Sequence, residues 1–421
     1  MCAVVAISSP CLVAGATKYV SKTGNNNNNG SASSPWRNIW YAVKHVGSGD
    51  TIRVKPGWYV ENQTINIYIS NLTIIADDPN NRPTVDFNDQ NGVNDRKIWV
   101  SKAGVTWDGV NIQEAGNFGI WTYTGADNFT LKNCKVQKCY KGAIKFENNN
   151  GGRVENCTIT KNGQINADRS GTLDWPHAVA GRRADDVHVK NCQIYRNHGE
   201  GVGPFFDCRE WVIQGNTVYD NFSVNIYIDT SEGWCTVQNN LVYYTGYSIG
   251  SNDGNKPTGI RIANEAADFP DGPGEDNGIV EHINIRNNII LDCKSGIQAF
   301  AYAPGYKFKL KNSKIENNTI VRVQDNKLGL WISAFQSNVS VFNNIVWNTS
   351  GISLASGINK GDNFTQDPKF ITGTGTSANN YKLKSSSPCR NTGTTLSSVG
   401  FDYWWQSRPR GGAFDIGADE Y

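Results

Sequence analysis

The chain has 421 residues, 19% of them charged, with 40 Lys and Arg against 38 Asp and Glu and a formal net charge of +2. That balance excludes a polybasic nucleic-acid surface, and no run beyond the first residues is apolar enough to span a bilayer. Asn and Gly are abundant, with 43 Gly, and Met occurs once; both abundant types tolerate left-handed backbone, so the composition favours a turn-rich β protein over a helical one.

The first element, "MCAVVAISSPCLVAGATKYV", is a small, apolar, uncharged run that ends in Ala14-Gly15-Ala16. It reads as a secretory signal peptide over 1–16, which places the mature protein outside the cell or in a periplasm. Eight cysteines follow: Cys134, Cys139, Cys157, Cys192, Cys208, Cys235, Cys293 and Cys389. No CxxC pair suggests zinc, and an even count in an exported chain permits disulfides without requiring them.

Next comes "SSPWRNIWYAVKHV" (33–46), with Trp36, Ile39, Trp40 and Val43 at helical spacing. It predicts an amphipathic cap helix, followed by a first coil in "GDTIRVKPGWYVE", so that 17–60 closes one end. Beyond it the chain repeats. "VKNCQIYRN", "IQGNTVYDN" and "VQNNLVYYT" place Cys192, Asn216 and Asn240 at equal intervals; "LKNCKVQKC", "VENCTITKN", "IRNNIILDC", "IENNTIVRV" and "VFNNIVWNT" share the frame. No single unit carries enough apolar surface to fold alone, but stacked units bury one continuous core. Coils of about two dozen residues with short strands predict an all-β right-handed parallel β-helix, coils ~4.8 Å apart. Asn216 should lie over Asn240 in a hydrogen-bonded ladder, with Cys134, Cys157 and Cys192 as buried thiols in the same column. The stack is expected to be one domain, with 365–421 as a C-terminal capping segment.

The opening "KYVSKTGNNNNNGS…PW…AV…GDTIRVKPGWY" and the close "DPKF…YKLKSSSPCRNTG…RPRGGAFDIGADEY" resemble secreted β-helix proteins of the pectin-lyase-like and polysaccharide lyase class. The resemblance implies the fold over nearly the whole mature chain. It implies no single chemistry, because the fold carries lyases, hydrolases, epimerases and binding proteins.

In each unit one strand alternates in and out. Ile120, Ile144, Val179, Val202, Ile226, Ile260, Ile297 and Leu330 should point into the core. Their neighbours Trp121, Lys145, Ala180, Gly203, Tyr227, Arg261, Gln298 and Trp331 should then form one outward row. A second row reads Tyr123, Glu147, Arg182, Phe205, Asp229, Ala263, Phe300 and Ser333. Cations and carboxylates sit centrally between aromatic residues, as a saccharide groove requires, since sugar rings stack on aromatic faces. His177 and Glu200 fall at equivalent places on adjacent coils with His198 beside them, and Gly199, Gly201 and Gly203 suggest close approach of a polymer to the backbone. The insertion 163–176 should bring Asp168, Arg169, Asp174 and Trp175 to the same face. A second insertion, 263–278, carries Glu265, Asp268, Asp271, Glu275 and Asp276; it offers oxygen ligands for Ca2+ without the spacing of an EF-hand, and a solvated acidic loop is the alternative.

Glycoside hydrolysis needs two carboxyl groups ~5–9.5 Å apart, which this register supplies only through Asp174 with Glu200. β-Elimination of a uronate polymer needs a cation to neutralise the carboxylate and a base for the C5 proton. Lys145, His177, Arg182, His198, Glu200 and Tyr227 are the candidate catalytic residues. Trp121, Tyr123, Glu147, Trp175, Phe205, Asp229, Arg261 and Trp331 are the candidate substrate contacts. The expected function is cleavage of an acidic polysaccharide by a monomer, with a glycoside hydrolase, an epimerase or a non-catalytic binding or adhesion solenoid as alternatives.

Overall fold

Coil after coil turns on the same dipeptide. Its first residue is left-handed: Asn133 at φ 57°, Asn156 and Asn191 at 54°, Gly215 at 67°, Asn239 at 54°, Asn287 at 52°, Asn317 at 53° and Asn343 at 55°. Asn and Gly adopt that conformation at least cost, which accounts for their abundance. The second residue turns inward and forms the predicted column. Asn216 Nδ2 donates to Asn240 Oδ1 at 3.0 Å, Asn240 to Asn288 at 2.9 Å, Asn288 to Asn318 at 3.0 Å, Asn318 to Asn344 at 3.0 Å and Asn344 to Asn363 at 2.9 Å. Cys192 precedes them, its backbone N–H donating to Asn216 Oδ1 at 2.9 Å. The eight cysteines from Cys134 to Cys389 are buried and unbridged. A second ladder joins Asn162, Asn197, Asn221 and Asn225 at the next corner.

The computed structural model describes residues 15–169, 174, 176–229, 233–247, 256–264, 278–299, 308–324 and 327–421. Nearly all of the proposed leader, Trp175, Phe300 and the carboxylates of the acidic insertion, with the Ca2+ reading they carry, lie outside the described residues.

Among the described residues, three parallel sheets of 14, 11 and 11 strands run between the corners. Strands hydrogen-bond to their equivalents in neighbouring coils, not to their neighbours in sequence, which is the order of a right-handed parallel β-helix. The inward residues fill one continuous core. Ile120, Ile144, Val179, Val202, Ile226, Ile260, Ile297 and Leu330 are each 0% exposed, as their alternation requires.

The expected cap helix is shorter than its pattern. Only Ile39–Ala42 is helical. Trp36, Ile39, Ala42 and Val43 are nevertheless buried against the first coil, because one turn suffices to cover the end. Glu61, buried in that coil, accepts the backbone N–H of Ile39 at 2.9 Å. The 365–421 segment lies along the flank of the stack. Phe370, Tyr381, Leu383 and Ile416 pack on Ile289, Leu291, Val321 and Ile345. The left-handed asparagines of the first corner hold it: Asn239 Nδ2 donates to the Asp402 carbonyl at 2.7 Å and Asn343 Nδ2 to the Thr394 carbonyl at 2.8 Å.

Candidate functional site

The sheet that carries the proposed groove includes Ile98–Val100, Ile120–Thr122, Ile144–Asn150, Val179–Asp185, Val202–Phe206, Val224–Asp229, Thr258–Ala263, Ile297–Ala299 and Leu330–Ile332. Its register sets Trp121 beside Lys145, Lys145 beside Ala180, Ala180 beside Gly203, Tyr227 beside Arg261, Arg261 beside Gln298, and Gln298 beside Trp331. The outward row is therefore present as a physical row.

At its centre one carboxylate holds three donors. Glu147 Oε2 accepts Trp121 Nε1 at 2.8 Å and lies 2.9 Å from Lys145 Nζ, while Oε1 accepts Arg182 NH1 at 2.8 Å. Burial alone would raise the Glu147 pKa; hydrogen bonds from Lys145 and Arg182 outweigh it and leave the carboxyl below its ordinary value. Burial lowers the Lys145 ammonium below its ordinary value, Glu147 opposes that, and Arg182 and Lys141 add to it. Lys145 also sits 4.5 Å over the Trp121 ring. Glu147 was expected to touch substrate. Both of its oxygens are instead occupied by the protein's own side chains, so it orients Lys145, Arg182 and Trp121.

His177 and Glu200 do meet, although strict alternation would have turned both inward. They precede their strands, where Ala178 N–H donates to the Glu200 carbonyl and strand pairing has only begun. His177 Nε2 lies 2.5 Å from Glu200 Oε2, and His177 Nδ1 lies 3.2 Å from the Gly203 carbonyl. A carboxylate close to Nε2 and a carbonyl close to Nδ1 favour imidazolium electrostatically. Burial lowers the His177 pKa, but Glu200, Asp229 and the Gly203 carbonyl outweigh it, and the net shift is upward. The ring packs edge-on against Phe205 at 6.0 Å and Tyr227 at 5.7 Å between centroids.

Several expectations need correction. His198 is anchored at the Asn-ladder corner, where its backbone N–H donates to the Asn162 carbonyl at 2.7 Å. Burial first, then Arg169 and Lys161, depress its pKa to about 4. Arg169 is not turned to the groove; it is buried over Phe222 and Tyr247. Asp174 reaches Lys141 at 3.5 Å. Tyr227 and Asp229 sit in the outward rows yet are only 3% exposed each, with Arg261 5.4 Å over the Tyr227 ring. A bulge between Gly181 and Arg182 shifts the register, so Phe206, not Phe205, pairs with Arg182; Phe205 is 42% exposed. Gly201 and Gly203 serve the packing of coils, since an added Cβ would lie 2.1 Å from the Asn225 carbonyl oxygen and 1.7 Å from that of Tyr227.

Sequence reasoning missed the coil before Trp121. Trp99 pairs with Trp121 in register, their rings 5.5 Å apart, and stands 5.4 Å from Tyr123. Phe118 adds an edge contact to Trp121 at 6.2 Å, and Lys97 lies within 6 Å of both indoles. The signal was the alternation in "KIWV" (97–100), one repeat upstream of where the rows were begun. Tyr123 is 37% exposed and Trp331 half-buried. Among the described residues no group of three or more His, Cys, Asp and Glu converges as a metal site.

Residues 206–366 match the model of the right-handed beta helix region, and residues 18–284 match that of the Pel9A-like right-handed beta helix region. No curated protein matches the chain. Among solved structures, pectate lyase Pel9A superposes with a TM-score of 0.63 at 17% identity, covering 97% of each chain. XylC in complex with xylose gives 0.61 at 10% identity, covering 96% of this chain and 98% of its own. The A-module of the Azotobacter vinelandii mannuronan C-5 epimerase AlgE6 gives 0.53 at 15% identity, covering 84% and 90%. At such identities the likeness shows the fold, shared by proteins of differing chemistry. With the matched region running over more than half its length, through the coils that carry Lys145, Glu147 and His177, the chain belongs to the Pel9A-like right-handed β-helix family.

Proposed function

We propose that the protein is a secreted polysaccharide lyase that cleaves a uronate-containing polymer by β-elimination in the groove of this sheet. The observation that carries the reading is the arrangement at Glu147, where two cations share one carboxylate beside a wall of indole rings. With Lys145 protonated one net positive charge meets the uronate carboxylate, and once Lys145 is a free amine Arg182 alone meets it. Arg182, 37% exposed in its side chain, is the group that pairs with it and so acidifies the C5–H bond. Lys145 is the base. Its lowered pKa raises the fraction of free amine at neutral pH, and it stays close enough to the surface, at 17% exposure, to reach substrate. The C5 proton passes to Lys145, the C5–H electron pair becomes the C4–C5 double bond, and the C4–O bond breaks. The leaving oxygen takes a proton, and the His177–Glu200 pair on the following coils holds one available for return. Trp99, Trp121 and Tyr123 stack sugars on one side of the scissile bond.

The test is incubation with polygalacturonate, alginate and mixed uronate polymers while ultraviolet absorbance is followed. A rise reports the unsaturated product. New reducing ends without that rise identify a hydrolase and overturn the reading, as does retention on the polymer with no cleavage at all.

A further inference from the structure

The C-terminal segment packs on the strands Ile289–Leu291, Thr319–Val321 and Ile345–Trp347, which belong to a different sheet from the groove. A pocket of about 320 Å³ opens in that segment, at the lower end of the range for small-ligand sites. Its polar lining is only half committed to the protein. Glu420 is engaged on both oxygens: Oε1 accepts the Arg410 N–H at 2.9 Å, and Oε2 accepts Arg408 NH1 at 2.8 Å and the Asp415 N–H at 3.0 Å. Asp419 is engaged on one. Its Oδ2 accepts the Leu383 N–H at 2.7 Å, whereas Oδ1 meets no donor among the described residues and is not sealed from solvent. The residue lines the pocket while only 4% exposed, so the pocket is its opening. Burial pushes its pKa up to about 6, with the Leu383 N–H and Lys382 opposing, so the carboxyl is ionised at neutral pH.

Two cations share the lining. Lys382 Nζ lies 4.2 Å over the Trp404 ring and has no hydrogen-bond acceptor among the described residues. Arg410 gives NH1 to Gln406 Oε1, which leaves its Nε and NH2 to a ligand. Apolar surface completes the wall, with Ile371 53% and Tyr421 49% exposed. Trp405, next to Gln406 in the chain, is 52% exposed, and its ring stands 6.3 Å from that of Phe401.

A ligand must satisfy both kinds of polar group. A uronate would set its carboxylate against Asp419 and Glu420, with Asp402 and Asp415 behind them around Arg408. A metal cation would meet Lys382 and Arg410. A sugar hydroxyl gives one hydrogen bond and accepts others, so adjacent hydroxyls can join Asp419 to Lys382 or Arg410 while the C–H face of the ring lies on the apolar wall. We infer that this pocket is a second, non-catalytic binding site that takes a neutral sugar residue of a polysaccharide. Because it lies on another sheet, it holds the polymer independently of the groove, and the two sites together increase retention through multivalency.

The experiment titrates neutral hexasaccharides of xylose, glucose, mannose and galactose, and hexagalacturonate, into the full chain by calorimetry. The background is a Trp99→Ala, Lys145→Ala double variant, which disables the groove. Lys382→Ala and Asp419→Asn are each added to it, with thermal melting as the check on folding; Lys382→Ala carries the test should the Asp419 variant melt early. At least one neutral hexasaccharide should bind the double variant, and either added substitution should weaken that binding about ten-fold or more. Binding of no neutral hexasaccharide overturns the inference. So does binding that the pocket substitutions leave unchanged, or binding of hexagalacturonate that is equally tight and equally sensitive to them. None of these outcomes depends on cleavage, so the lyase reading stands or falls separately.

Discussion

His177 Nε2 stands 2.5 Å from Glu200 Oε2 and so ties two adjacent coils through their buried starts. The histidine pKa is raised relative to the unfolded chain, so folding takes up a proton there. The stability that results is fully present below the ordinary histidine value and is lost as pH climbs through the raised one. Glu200→Gln should therefore lower the thermal midpoint more at about pH 5 than at about pH 9. Melting curves across that range check it; an equal drop at both ends would mean the pair is not an ion pair.

Lys145→Ala should cut kcat by about 10²–10⁴-fold while the melting temperature moves little, because a base is lost from a half-open position. Steady-state kinetics on the cleaved polymer with circular dichroism of the variant measure both. Turnover at the wild-type rate would take the base role away from Lys145.

Glu147→Gln tests the clamp. Lys145 would lose the partner that holds its proton, so its pKa should fall further and the acidic limb of the kcat profile should move to lower pH. Stability should fall by roughly 1–3 kcal/mol, less than for a deeply buried pair because Arg182 is well exposed. A pH–rate profile identical to that of wild type would show that Glu147 does not position Lys145.

Trp99→Ala should raise KM about ten-fold and leave kcat within about a factor of three, since it removes stacking that substrate and transition state share. A fall in kcat with KM unchanged would place the indole at the reacting sugar.

Asn240→Ala removes an amide whose Nδ2 reaches Asn288 Oδ1 and the Ile213 carbonyl, and whose Oδ1 receives Asn216. It leaves several buried polar groups unpaired and should cost about 2–4 kcal/mol. Cys192→Ala, in the same column, should cost only about 1 kcal/mol, because it chiefly deletes a filler. Chemical denaturation of both variants gives the comparison.

Much of this molecule is visible in one dimension. The spacing of Cys192, Asn216 and Asn240 announces the coil, and alternation around Ile144 and Val179 separates core from groove. Trp99 was equally visible in "KIWV" but fell before the first aligned strand. The setting of His198 was not: "NHGE" put it beside Glu200, whereas the fold fixes its backbone to the Asn162 carbonyl at the corner, where burial, then Arg169 and Lys161, lower its pKa. Phe205 and Phe206 were indistinguishable until the bulge at Gly181 and Arg182 chose between them.

Sequence by itself determined what depends on repetition and period: a parallel coiled ribbon, its Asn and Cys column, and which side chains face out. Those properties follow from local backbone geometry and from burial, and both are written into consecutive residues. Only the tertiary structure decided the partners of those outward groups. Whether Glu147 serves substrate or the protein depends on where Lys145, Arg182 and Trp121 lie across three coils, and that placement is set by contacts between residues remote in sequence. Distances of a few ångströms between such residues control charge, protonation and access, and a one-residue bulge is enough to change them.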